Sequence, residues 1–129
     1  NIARLLTSVS GSSAYFIGSV VAYHNNVKQN MLDVLEEDLN NHGAVSEPVV
    51  LQMAKGAKEK FGTDYVIATS GIAGPDGGTE EKPVGTIWIA IAGPKSVFAQ
   101  KFSFGNNRLR NIQKTSFMAL NMLREELMV

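Results

Sequence analysis

Two runs in the second half of the chain, Thr86–Ala92 and Val97–Phe104, are separated only by the sequence Gly93-Pro94-Lys95-Ser96. The first run is rich in the β-branched and aromatic residues that a pleated sheet accommodates. A connection this short cannot cross over a sheet, so the two strands are predicted to be antiparallel neighbours. The fold of this chain therefore has to contain a β-hairpin.

Before the hairpin lies a stretch rich in glycine and proline, Thr69–Thr86, which follows another strand-like run, Tyr65–Thr69. Its glycines permit positive φ angles and a close approach of backbone N–H groups to a small molecule. Loops longer than about twelve residues are usually functional or disordered. Neither the dinucleotide-binding pattern nor the P-loop pattern is present. The residues alone leave open a binding loop and an ordinary β connection.

The rest of the chain alternates helical and strand patterns. We predict a helix at the N-terminus ending before Gly11, an apolar strand over Ala14–Tyr23, a short helix within His24–Leu35, and a helix that begins at Ser46 and stops at Gly62. Because helices separate the earlier strands, parallel pairing is favoured there, and the sheet is predicted to be mixed. Glu36, Glu37 and Asp38 are interpreted as a polar, solvated turn.

The last helix is predicted over about 107–127. Its inner face is expected to consist of apolar residues and one serine, namely Leu109, Ile112, Ser116, Leu120, Leu123 and Leu127. Met118, Met122 and Val129 would lie opposite. This second apolar strip suggests a subunit contact and hence a possible homo-oligomer, although exposed methionines near a terminus are often without such a role.

Composition excludes several classes of protein. Twelve basic and twelve acidic residues cancel, so no overall field favours nucleic acid or an anionic membrane. No apolar run is long enough to span a bilayer. The absence of cysteine removes disulfides and zinc–thiolate sites and is compatible with a cytoplasmic protein. Two histidines without neighbouring ligands give no convincing metal site. We expect one domain over 1–129, without a metal or cofactor.

Tyr23 and Lys28 lie where the predicted strand Ala14–Tyr23 ends, at the rim at which a parallel sheet places its ligand crevice. A desolvated lysine there has a lowered pKa and can act as a general base. A surface lysine on an amphipathic helix is the alternative, which the spacing alone favours. Arg108, together with Arg110, could hold a phosphate at the start of the last helix or form part of a surface pair.

The run SGIAGPDGGTEEKPVGTIWIAIAGP, preceded by HGAVSEPVVLQMAKGAKEKFGTD and GSSAYFIGSVVAYHNNVKQNML, closely resembles the C-terminal domain of the CinA family of competence/damage-inducible proteins. Stand-alone members of that family are nicotinamide mononucleotide deamidases. The resemblance implies an α/β fold, a three-layer α/β/α sandwich around a mixed sheet. It also implies an amidohydrolase that acts on a small nucleotide without a cofactor in pyridine nucleotide recycling.

The resemblance also implies roles for particular residues. The family's Tyr-x-x-x-x-Lys pair matches Tyr23 and Lys28, so Lys28 would move the proton of a serine nucleophile and Tyr23 would orient the pair or the substrate. Ser70 is placed with Tyr23 and Lys28 among the catalytic residues and stands where the family typically has threonine, and Arg108 matches an arginine that would contact phosphate. Backbone amides of the loop would bind the phosphate or the developing oxyanion, through Gly71, Gly74, Gly77, Gly78 and Thr79.

The family's serine nucleophile belongs to an A-E-S-C-T-G-G motif that would come immediately before Asn1. The resemblance therefore implies that the first strand and the nucleophile lie upstream of this chain, which would be N-terminally incomplete and inactive by itself. A non-catalytic binding or assembly domain of a competence-associated protein is the alternative function.

Overall fold

The computed structural model describes residues 1–128, which form helices on both sides of a small sheet. The helices are α1 (Ile2–Thr7), α2 (Asn25–Leu32), α3 (Glu36–His42), α4 (Glu47–Phe61) and α5 (Arg108–Leu127), with a 3₁₀ turn at Ser12–Ala14. The strands are β1 (Val66–Gly71), β2 (Thr86–Ala92) and β3 (Val97–Ser103).

The sheet has the order β1-β2-β3, and both pairs are antiparallel. Thr86 pairs with Ser103 and Ala92 with Val97, so the predicted hairpin is confirmed. Successive side chains of a strand point to opposite faces, and the two faces of β2 differ in size. Isoleucines line one face, and Trp88 and alanines line the other.

These two faces carry separate layers of helices. The alanine face packs against α4, whose Val49 and Val50 are fully buried. Helices α2 and α3 lie beside α4 in the same layer. The isoleucine face packs against α5, where Ala119 and Met122 are buried and Ile2 of α1 lies at the edge. Small residues under α4 let that helix lie close to the sheet. The α/β class and the three-layer sandwich are therefore confirmed.

Helix α4 follows its predicted boundaries, with Ser46 as N-cap and Gly62 as C-cap in the left-handed region at φ 65°. The serine does not cap the helix with its side chain, because its Oγ donates to Gly43 O at 2.8 Å. Helix α3 was missed, since Glu36, Glu37 and Asp38 form its first turn. Carboxylates interact favourably with the positive end of the helix dipole, so an acidic cluster can begin a helix as well as form a turn.

The strand predicted over Ala14–Tyr23 is wrong for the described residues, and so is the mixed sheet that depended on it. Residues 16–22 alternate between half-buried and exposed, as a strand would, and Val21 is 83% exposed. No backbone N–H group of residues 17–23 donates to another backbone group within 1–128. A β-strand is defined by its backbone hydrogen bonds to a neighbouring strand. This segment has the alternating side-chain pattern of a strand but forms no such bonds within the described residues.

The inner face of α5 is also corrected. The buried positions are Asn111, Ser116, Ala119 and Met122, whereas Leu109 is 72% exposed. Leu127 is likewise exposed, and Met122, predicted to lie outside, belongs to the core. Counting only apolar residues misplaced the stripe, because Asn111 and Ser116 face inward and use their polar groups there. Val129, the third member of the predicted outer strip, lies outside the described residues.

Candidate functional site

Lys28 is the most deeply buried charged residue of the site. It lies in the second turn of α2, whose first turn is capped by His24 through a hydrogen bond from Asn26 N to Nδ1 at 3.1 Å. Only 5% of Lys28 is exposed. Its Nζ donates to Ala22 O at 2.7 Å and more weakly to Tyr23 O at 3.4 Å. The cap fixes the start of α2 and thereby aims the lysine back at the preceding segment.

Burial lowers the pKa of the Lys28 ammonium below the ordinary lysine value of about 10.4. The physical cause is desolvation, which disfavours the charged form. No ion pair between Lys28 and a carboxylate occurs within residues 1–128 to oppose it. An amine with a lowered pKa spends a larger fraction of time neutral near pH 7 and can accept a proton.

This pKa shift predicts a dependence of stability on pH. Between the lowered pKa of folded Lys28 and about 10.4, the unfolded chain holds a proton that the folded chain has released. The free energy of unfolding therefore rises with pH in that window, by at most about 1.4 kcal/mol per pH unit. Urea unfolding of the wild type and of Lys28→Met across this range measures the difference. Equal slopes for both proteins would contradict the shift.

Tyr23 is joined to Lys28 through its backbone and not through its phenol. The side chain of Tyr23 is 83% exposed, and its carbonyl oxygen accepts the longer hydrogen bond from Lys28. The structure thus brings the two predicted residues together while leaving the phenol group accessible to a ligand.

The glycine-rich connection between β1 and β2 begins after Gly71, so the loop proper is residues 72–85. Its base is closed by hydrogen bonds from Ile72 N to Thr86 O at 3.0 Å and from Gly85 N to Ile72 O at 2.7 Å. Gly74 and Gly77 have φ angles of 92° and 93°, which disfavour any residue with a Cβ. The loop therefore has an ordered, hydrogen-bonded base and an exposed tip, which consists of Gly77, Gly78 and Thr79.

Helix α5 holds the base of this loop at two points. Arg108 Nη1 donates to Gly74 O at 2.8 Å. Asn111 donates to Ala73 O at 2.9 Å and to Gly105 O at 2.8 Å, and only 1% of this residue is exposed. Sequence reasoning missed Asn111. The available signal was an asparagine at a position whose helical spacing places it towards the core, where a polar group needs partners.

Ser70 and Lys28 belong to separate hydrogen-bond groups. Ser70 Oγ donates to Ala44 O at 2.8 Å, in the connection before α4. No side-chain hydrogen bond within residues 1–128 joins Lys28 or Tyr23 to Ser70, Arg108 or the loop. Ala22 and Ala44, whose carbonyls bind Lys28 and Ser70, both pack against the cluster of buried residues around α4. The hydrogen bonds of Lys28 and of Ser70 therefore both end on segments that pack against the same buried cluster.

The described residues contain no group of three or more His, Asp or Glu side chains arranged to hold a metal ion. None of the helices within 1–128 combines the length and apolar character needed to cross a membrane.

Comparison with known proteins gives concordant results. The family model of the CinA C-terminal domain matches residues 1–127. A CinA-like protein of Cytophaga hutchinsonii is 53% identical over 126 residues, which cover 98% of this chain and 30% of that protein. A CinA-like protein of Parasynechococcus marenigrum is 54% identical over 125 residues, 95% of this chain and 30% of that protein. The chain thus spans about 30% of the length of these relatives.

Two solved structures of competence/damage-inducible proteins have the same fold as this chain. The competence/damage inducible protein CihA of Agrobacterium tumefaciens superposes with a TM-score of 0.94 and 39% identity, over 96% of this chain and 76% of that one. The competence damage-inducible protein A of Klebsiella pneumoniae has a TM-score of 0.94 and 34% identity, over 98% of this chain and 79% of that one.

Proposed function

This chain belongs to the CinA C-terminal domain family, and on that premise we propose that its full-length form hydrolyses the carboxamide of nicotinamide mononucleotide. The products are nicotinate mononucleotide and ammonia. The single observation that carries the proposal is Lys28, a buried amine with a lowered pKa and no ion pair to a carboxylate within residues 1–128. Such an amine suits general-base catalysis of amide hydrolysis.

In the proposed reaction, neutral Lys28 accepts the proton of a serine hydroxyl as the serine oxygen attacks the carboxamide carbon. The resulting ammonium of Lys28 gives that proton to the departing nitrogen, and the C–N bond breaks. Ammonia is released, and the nicotinoyl group remains bound to the serine as an ester. A water molecule then attacks the ester, Lys28 accepts the water's proton, and the proton returns to the serine oxygen. The serine, by the family resemblance, lies upstream of Asn1.

Unpaired backbone supports an additional strand in the full-length protein. Strand β1 is hydrogen bonded on one edge only, and residues 17–23 have no ladder partner within 1–128. Ala68 of β1 belongs to the buried cluster around α4, and Ala22 of that segment packs against the same cluster. A strand carrying the serine could pair with either, because an open edge offers N–H and C=O groups for such addition.

The glycine loop is proposed to bind the nucleotide. The N–H groups of Gly77 and Gly78 lie at the exposed tip and suit a phosphate or an oxyanion, and the guanidinium of Arg108 has nitrogens beyond the Nη1 that binds Gly74 O. The N–H group of Thr79 donates to Lys82 O at 2.9 Å, so this residue would contribute its hydroxyl group instead. Gly71 and Gly74 would shape the base of the pocket, where Ser70 is proposed to contact the substrate. Tyr23, with its exposed phenol, is proposed to orient the pair or the substrate.

The alternative is a non-catalytic binding or assembly domain of a larger protein. It is favoured by the fact that the chain spans about 30% of the length of its curated relatives. In that case the full-length protein would fold and bind ligand or partner without releasing ammonia.

The decisive experiment is ammonia release from nicotinamide mononucleotide by the full-length protein. We expect ammonia and nicotinate mononucleotide in equal amounts, and no release by residues 1–129 alone. Nicotinamide riboside, which lacks the phosphate, serves as a matched substrate and should react more slowly if the loop and Arg108 bind phosphate. A folded full-length protein that releases no ammonia would exclude the amidohydrolase and favour the alternative.

A further inference from the structure

An apolar groove lies between the end of β3 and the outer side of α5. It has a volume of about 450 Å³ and is lined by Phe104, Lys114, Phe117, Met118 and Asn121. Phe117 is 63% exposed, and the ring of Phe104 stacks on Phe102 with centroids 5.6 Å apart. We call this surface the α5 groove. Its α5 residues follow Arg108 and Asn111 along the helix, and the proposed reaction does not use them.

The helical wall of the α5 groove has the spacing of a coiled-coil seam. Lys114, Met118, Asn121 and Glu125 are separated by four, three and four residues, so they form one line along α5. This line lies beside the buried line that includes Ala119 and Met122. Helix α5 therefore uses one stripe for its own core and presents a second, mostly polar stripe outward, in which Met118 is the apolar residue.

Opposite charges stand at the two ends of that stripe. Lys114 Nζ lies 5.7 Å from the Phe104 ring centroid, and Glu125 accepts a hydrogen bond from Asn121 at 3.1 Å. Neither forms an ion pair within residues 1–128. A parallel copy of α5 would place Lys114 against Lys114 and Glu125 against Glu125. An antiparallel copy places each lysine against a glutamate and each Met118 against Asn121.

We propose that the α5 groove binds a second copy of this chain in a two-fold, antiparallel contact between the two α5 helices. The stripe is self-complementary only in the antiparallel direction, as a two-fold interface requires. Phe117, which is exposed beside the stripe, supplies apolar contact, and the two Lys114–Glu125 pairs set the direction and exclude the parallel arrangement. A contact of one helix per copy is small, so the dimer forms at high protein concentration.

Sedimentation velocity over a range of concentrations tests the proposal, with Lys114→Glu and Glu125→Lys as variants. Each substitution sets like charges against each other in both pairs, and we expect the dissociation constant to rise by roughly 10- to 100-fold. An equimolar mixture of the two variants restores opposite charges at both pairs and should form a heterodimer. Unchanged urea midpoints of both variants, whose altered side chains are exposed, show that folding is intact.

A wild-type chain that stays monomeric at all concentrations would overturn the proposal. So would variants that dimerise as well as the wild type, or a mixture of the two that stays monomeric. A monomer whose Phe104 and Phe117 resonances shift on addition of an amphipathic helical peptide would assign the groove to another partner and overturn the second copy as its occupant.

Discussion

Replacing Lys28 with methionine is expected to lower kcat/KM for ammonia release by the full-length protein by about 10²- to 10⁴-fold, the range lost with a general base. Methionine is close in length and apolar, so it fills the space of a side chain that is 5% exposed. It leaves the carbonyls of Ala22 and Tyr23 without the ammonium donor. The effect should fall mainly on kcat, because Lys28 acts on the proton and not on the phosphate.

A second substitution separates proton transfer from charge. Lys28→Arg keeps a cation that can donate to the same carbonyls, but a guanidinium does not lose its proton in the working pH range. We expect this variant to be as inactive as Lys28→Met. If the role of Lys28 were only to bind the backbone or to supply positive charge, arginine would instead restore much of the activity.

The pH profile of the wild type provides an independent readout. Because burial lowers the pKa of Lys28, the rate should rise with pH and level off below the pKa of an ordinary lysine. Lys60→Ala is the matched control, since Lys60 lies on the exposed side of α4. Activity of Lys28→Met equal to that of the control would remove Lys28 from the mechanism.

Much of the fold could be predicted from sequence because local patterns determine it. The four-residue connection Gly93–Ser96 forces the hairpin, and a capped pattern with a final glycine delimits α4. That residues 17–23 have no ladder partner within 1–128 could not be predicted in this way, because strand pairing depends on segments distant in sequence. The inner face of α5 was wrongly predicted for the same reason, because Asn111 faces inward to bind carbonyl groups of loop residues, one of them distant in sequence.

For the site, the sequence predicted that Tyr23 and Lys28 lie close together, and the structure places the lysine amine on the tyrosine carbonyl. The lowered pKa of Lys28 could not be predicted from spacing, which favoured a surface lysine, because it results from the burial of Lys28 in the folded chain. Family resemblance, not spacing, singled out Ser70, and its hydrogen bond to Ala44 O joins segments far apart in sequence. Long-range contacts of this kind have no local signal.

The close contact between α2 and α4 predicts a large effect on stability. Gly56 of α4 is buried, and a Cβ added there would lie 1.8 Å from Leu32 O and 2.6 Å from Leu32 C, at the end of α2. In an open helix, glycine to alanine stabilises by about 1 kcal/mol. Here the clash is with backbone, which cannot rotate away, so α2 has to move.

We therefore expect Gly56→Ala to lower the free energy of unfolding by about 3 kcal/mol or more, at or beyond the upper end of the cost of overpacking a core. Urea unfolding monitored by far-UV circular dichroism measures this. Helix α2 carries Lys28, so any variant that still folds should also lose activity in the full-length protein as the amine moves from Ala22 O.

Gly105→Ala is the matched control, because an added Cβ there meets no atom within 4 Å and its φ angle is not in the left-handed region. Its stability should remain within about 0.5 kcal/mol of the wild type. The comparison isolates the clash from the general effect of replacing glycine. Equal midpoints for Gly56→Ala and Gly105→Ala would mean that α2 and α4 tolerate a wider separation, and that Lys28 does not depend on this contact for its position.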